Sequence, residues 1–271
     1  GLELSFQKLW ALRRVVFGAG LLQTSGCAAI IALIAWSLGF DPIAATVVGL
    51  ALALSSTAIV MQLLIDNRRV ATPVGQTALG VLLMQDVLVA PILIFVGFAV
   101  AESSGPLLPT IGQALLQGLA AIAIIVLIGR YGLARLFRLA ANTGGRDFLM
   151  AITLLTIVGA SILTYSAGLS LALGAFMAGL LLGETEFKHQ TEIDLEPFKG
   201  LLLGLFFMTV GMALDLRAVW AIWPQVLAGL VGMIVIKTLV TFVAARLFAG
   251  PTALSLRAAF MLAPAGEFAF V

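Results

Sequence analysis

The sequence predicts an all-α polytopic membrane protein, and three observations lead there. Hydrophobic residues make up 62% of the 271 and charged residues only 10%, with a mean hydropathy of +1.15. A soluble domain is nearer half apolar and a quarter charged, and this chain lacks the polar groups to cover a surface in water. The apolar residues also come in runs of about 20, the length a membrane helix requires. The alternating segments of about ten residues that mark a β-barrel do not occur. Finally, the basic residues collect between alternate runs.

Nine runs fit the helical template: 14–38, 43–65, 76–101, 111–129, 148–165, 169–183, 198–214, 220–248 and 254–271. Ala, Gly and Leu dominate them, which suits helices packed closely on other helices. With the first loop cytoplasmic, thirteen of the 15 basic residues fall on the cytoplasmic side, Arg217 alone falls opposite, and Lys237 lies within a span. Lys and Arg enrichment marks cytoplasmic loops, so this is the expected orientation. Segment 130–147 is basic and amphipathic and is expected at the cytoplasmic interface. Segment 184–199 is the strongly polar one, with Glu184, Glu186, Glu192, Asp194 and Glu196, and is expected as a cytoplasmic acidic loop.

Several function classes drop out. The net charge of +2 sits at helix ends, so the partner it implies is the lipid bilayer and not nucleic acid. Cys27 and His189 are the only residues of their kinds, so neither a disulfide nor a zinc or iron site is expected. Phosphate-loop, dinucleotide, Gly-x-Ser-x-Gly and His-Glu-x-x-His patterns are absent, and the chain does not read as an enzyme. Gly179 with Gly183 and Gly200 with Gly204 form Gly-x-x-x-Gly pairs, expected to serve packing. The chain opens Gly1-Leu2-Glu3-Leu4 and closes at Val271 inside an apolar run. A membrane-domain fragment, incomplete at both ends, is the expectation.

Ionisable residues in a bilayer core cost at least a few kcal/mol each and mark function by default. Three remain deep within spans: Asp86, Lys237 and Glu267. A mid-membrane carboxylate has two stable states, protonated or holding a cation among neighbouring oxygens. A site offering both states to both sides of the membrane is an exchanger site. Gln85 is expected to add an amide oxygen to Asp86, and Ser56 and Thr57 to add hydroxyls. Lys237 is expected either to pair with a carboxylate or to cap a broken helix. Glu267 follows Pro264 and Gly266, which interrupt a helix by removing a donor and stiffness. Ser55-Ser56-Thr57 marks a second interruption. Transporters place two such helices, one from each inverted repeat, around a mid-membrane site.

Together these stretches resemble the Kef branch of the monovalent cation/proton antiporters. The match is carried by Gly1–Leu4, by Leu52-Ala53-Leu54-Ser55-Ser56-Thr57-Ala58, by Gln85-Asp86, by the run from His189 to Gly200 continuing through Gly204-Leu205-Phe206-Phe207, and by Gly266-Glu267-Phe268-Ala269-Phe270. The resemblance implies a sodium/proton-antiporter-like inverted-repeat fold in the bacterial inner membrane, as a homodimer. It implies potassium (or sodium) exchanged for protons at Asp86, with no cofactor in this chain. It also implies a cytosolic regulatory domain outside this chain that binds nucleotide and glutathione and contacts His189, Glu192, Asp194 and Glu196. One titrating carboxylate beside Gln85 implies an electroneutral cycle. The rival readings are a sodium/proton antiporter of the same fold, a gated potassium channel, for which no Thr-Val-Gly-Tyr-Gly-like filter is present, and a non-transporting membrane sensor.

Overall fold

The computed structural model describes residues 10–100, 120, 123–127, 129, 132, 135–136, 145–167, 171–266 and 269. Their elements are helices. α1 is Val15–Ser37, π-helical over Val15–Gly20, and is followed by α2 (Pro42–Ala53), α3 (Thr57–Asp66) and α4 (Pro73–Val100). After residues not described come α5 (Gly145–Ser166), α6 (Leu171–Gly183), α7 (Lys188–Ala213), α8 (Leu216–Ala221), α9 (Trp223–Phe248) and α10 (Thr252–Leu262). Among the described residues, four stretches are long and apolar enough to cross a membrane unaided: Val15–Ser37, Pro73–Gly97, Phe148–Ser166 and Trp223–Phe248. The expected span at 111–129, the basic segment at 130–147 and the opening residues 1–4 lie wholly or mostly outside the described residues.

Local chemistry sets the ends. α1 stops at Gly39, whose φ of +95° suits a residue without Cβ. Two residues later the Asp41 carboxylate accepts from the N–H groups of Ile43 (2.9 Å) and Ala44 (3.4 Å), and Pro42 occupies the first helical position. This is the N-cap and proline arrangement that starts a helix. Asp215 opens α8 in the same way, accepting from Arg217 N–H at 2.9 Å.

The chain divides into two compact units, one drawn from residues 6–88 and 207–271, the other from 89–206. In the first, α1 packs on α2 and α9, and α9 packs on α10. Ala19, Val60, Leu64, Val81, Ala244 and Leu262 meet in its core. Small residues allow the close approaches. Gly49 of α2 lies against Ala28 and Ala32 of α1, and Gly20 of α1 lies against Met84 of α4. In the second unit α5 packs on α6, with Gly174 against Ala160 and Ser161. Gly200 and Gly204 face open space, so that Gly-x-x-x-Gly pair makes no close approach among the described residues. Along α9, Leu227, Leu230, Val231 and Val235 point outward, as apolar side chains do where lipid is the solvent.

The acidic segment departs from the expected loop. Only residues 184–187 are turns, and helix α7 starts at Lys188 and carries every acid from Glu192 to Glu196. Its axis bends by 40° between Lys188–Phe198 and Gly200–Met212, beside Pro197, whose ring cannot accommodate a straight helix. The polar stretch is a helical extension of an apolar helix. Helical ladders satisfy its backbone while Lys188 and Glu192 face each other one turn apart at 3.8 Å.

Candidate ion-binding site

The run 43–65 is broken where hydroxyl side chains compete with the helix for hydrogen bonds. α2 ends at Ala53, Leu54 and Ser56 are extended, and α3 restarts at Thr57. The Ser56 hydroxyl caps the restart by accepting from Ile59 N–H at 3.4 Å. A second break follows α10, where Pro264 supplies no donor and residues 263–266 leave the helix. The two breaks meet. Ser55 and Ala265 form an isolated antiparallel bridge, Gly266 N–H donates to Leu54 O at 3.0 Å, and the Ser55 hydroxyl donates to Leu262 O at 2.7 Å. A Cβ on Gly266 would stand 3.1 Å from the Ser55 carbonyl, so glycine allows the two segments to approach closely here.

Lys237 lies at the crossing. Its side chain is fully buried, and the ammonium donates to Leu52 O (3.1 Å), Leu54 O (2.6 Å) and Pro264 O (3.3 Å). Leu52 O is in the last turn of α2, where helix carbonyls lack an intrahelical partner, and Leu54 O and Pro264 O lie just beyond the ends of α2 and α10. Each terminus carries the equivalent of roughly half a negative charge, so one ammonium balances the two. Of the two roles expected for Lys237, its contacts are those of a cap on broken helices.

Asp86 is partly buried on α4 and receives the Thr57 hydroxyl at 3.5 Å, which brings the first turn of α3 to the carboxylate. Gln85, beside it in sequence, is buried and engaged by neighbouring polar groups. Its Oε1 accepts from Ser55 N–H at 2.9 Å, and its Nε2 donates to Gln23 Oε1 at 2.7 Å. Gln23 was not singled out by sequence patterning. It is a lone amide in an apolar run, and its partners Ala53 and Gln85 are 30 and 62 residues away. A neutral polar residue that deep in a span was the signal available. Glu267 lies outside the described residues.

The acidic group on α7 lies in the other unit. His189 is largely exposed and stands 4.0 Å from Glu192. Glu196 is also exposed, whereas Asp194 is buried and accepts from Gln190 Nε2 at 2.9 Å.

The ends of α2 and α10 meet near a partly buried carboxylate on an apolar helix, as in a polytopic membrane protein, and comparison with known proteins gives the family. The profile of the family described as sodium/hydrogen exchanger, transmembrane, matches residues 1–271, and the chain belongs to that family. It is similar to proteins named glutathione-regulated potassium-efflux system protein KefC. The protein from Klebsiella pneumoniae subsp. pneumoniae is 40% identical, that from Salmonella typhi 39% and that from Escherichia coli O7:K1 38%. Each match runs over all 271 residues of this chain and 44% of the relative. The chain thus spans less than half the length of these curated relatives. The resemblance to Kef-type antiporters read from the residues is borne out.

Proposed function

We propose that this chain is the exchange unit of a monovalent cation/proton antiporter whose cation is potassium, carried out of the bacterial cell across the inner membrane. The observation that supports this most is Asp86 facing Thr57 beside two crossed helix breaks, with Lys237 balancing the breaks. Asp86 binds the cation or a proton, never both, and the bundle carries either state to the other side. Thr57 and Ser56 lie on the segment that lines the carboxylate. Among the described residues at the crossing, Lys237 faces the helix ends and Asp86 is the acidic group, which supports an electroneutral exchange.

Potassium is favoured over sodium by relatives named as potassium-efflux proteins. Their names also support regulation by glutathione. In this reading a nucleotide- and glutathione-binding domain outside this chain meets the start of α7. His189, Glu192 and Glu196 are open to it, while Asp194 is turned inward and would act by holding the helix. A homodimer is the proposed assembly.

The test uses the full-length protein in everted vesicles with a preset pH gradient followed by dye fluorescence. Potassium should collapse the gradient for wild type and leave it intact for Asp86→Asn. A response to sodium alone would assign the sodium exchanger reading. Equal responses from wild type and Asp86→Asn would remove Asp86 from the mechanism.

A further inference from the structure

We propose that Gln23 is a positioning residue of the exchange site: through the amide of Gln85 it fixes the break that presents Thr57 to Asp86. The inference rests on the antiporter reading above. Gln23 is fully buried in the middle of α1. A primary amide in such a place needs its donors and its acceptor engaged. Gln23 Nε2 donates to Ala53 O at 3.3 Å and to Cys27 Sγ at 3.4 Å. Gln23 Oε1 accepts from Gln85 Nε2 at 2.7 Å and from the Thr24 hydroxyl at 3.2 Å. Gln85 Oε1 in turn accepts from Ser55 N–H at 2.9 Å.

These bonds form a relay that starts and ends on the same break. Ala53 O, on one side, only accepts. Ser55 N–H, on the other, only donates. Two amides in series connect them in one polarity. Rotating Gln23 would set NH2 against NH2 between the glutamines, rotating Gln85 would set oxygen against oxygen there, and in either case one end of the relay would lose its partner. The backbone therefore dictates the orientation of both side chains, and the side chains hold the two lips of the break at a fixed separation. Thr57 lies two residues beyond Ser55, and Asp86 directly follows Gln85. A shift at the relay is therefore carried to both partners of the 3.5 Å Thr57–Asp86 contact. The Gln85 carbonyl accepts from the backbone, so in this proposal Gln85 acts through the break, and the Asp86 carboxylate and the Thr57 hydroxyl are the groups it positions.

The experiment measures potassium-driven exchange by full-length protein in everted vesicles at several pH values. It compares wild type, Gln23→Leu, Gln85→Leu, the double variant, Gln23→Glu and Asp86→Asn, each normalised to protein in the membrane. Gln23→Leu should raise the half-saturating potassium concentration roughly three- to tenfold, the scale of one lost hydrogen bond. The double variant should be no worse than the worse single one, because both cut one relay. Gln23→Glu, which when protonated offers a donor to Ala53 and an acceptor to Gln85, should match wild type at low pH and fall behind it as pH rises. An unchanged half-saturation in Gln23→Leu, or additive losses in the double variant, would overturn the proposal. Should Gln23→Leu fail to reach the membrane, Gln23→Glu decides: a wild-type half-saturation at every pH overturns the relay. Wild-type vesicles without exchange, or full exchange in Asp86→Asn, would overturn the antiporter reading and this proposal with it. With those two controls as expected, a negative Gln23 result refutes the relay alone.

Discussion

Lys237 carries a full charge at the centre of an apolar helix, and three backbone carbonyls receive it. Hydrogen bonds to charged groups contribute about 1.5–3 kcal/mol each, and orphaned buried acceptors cost more than the bond alone. Lys237→Met keeps the length and removes the donors, so it should destabilise the fold by about 3 kcal/mol or more. Thermal unfolding in detergent should then fall by roughly 5–10 °C. An unchanged unfolding temperature would mean that the crossing is held by its backbone bridge alone. Asp86→Asn is the contrasting case. It keeps an oxygen for the Thr57 hydroxyl, so the unfolding temperature should hold while exchange is lost.

At the scale of elements, the two breaks and the close helix contacts carry the architecture. Gly49→Val should disrupt the α1–α2 contact, since even a Cβ there would stand 2.9 Å from Ala32 Cβ and run into the Ala28 carbonyl. The folded yield should drop sharply, while Gly229→Ala, facing open space on α9, should fold as wild type. Size-exclusion profiles in detergent separate these outcomes. Both interruptions were legible in the sequence because Ser55-Ser56-Thr57 and Pro264 with Gly266 are chemically poor helix residues at membrane depth. What the breaks bind was not legible. The partners of Lys237 are main-chain oxygens, which every residue has, and Gln23 meets Gln85 only once α1 and α4 are packed. The acids of 184–199 misled in the opposite way. Charge density suggested a loop, yet i,i+4 pairs such as Lys188 with Glu192 and Gln190 with Asp194 support a helix that simply outlasts its apolar part.

For the whole molecule, hydropathy located some helices within a few residues, as 14–38 became Val15–Ser37 and 220–248 became Trp223–Phe248, whereas the helix expected over 198–214 begins ten residues earlier, at Lys188. The proposed orientation can be read with a membrane-impermeant maleimide. Cys27 is buried and should stay unlabelled in a protein whose other cysteines are replaced. Asn67→Cys, at the exposed end of α3, should then react only from the cytoplasmic face, and Leu216→Cys only from the opposite face. Reversed labelling would invert the topology. The central claim, that Asp86 exchanges one potassium ion for one proton, is tested most directly in proteoliposomes. Purified full-length wild type and Asp86→Asn would be compared, with an imposed potassium gradient and the membrane potential set independently. Opposite potassium and proton movements in wild type, independent of the potential and absent from Asp86→Asn, are the predicted result. Potassium flux that follows the potential without proton movement would make the protein a channel and contradict the account.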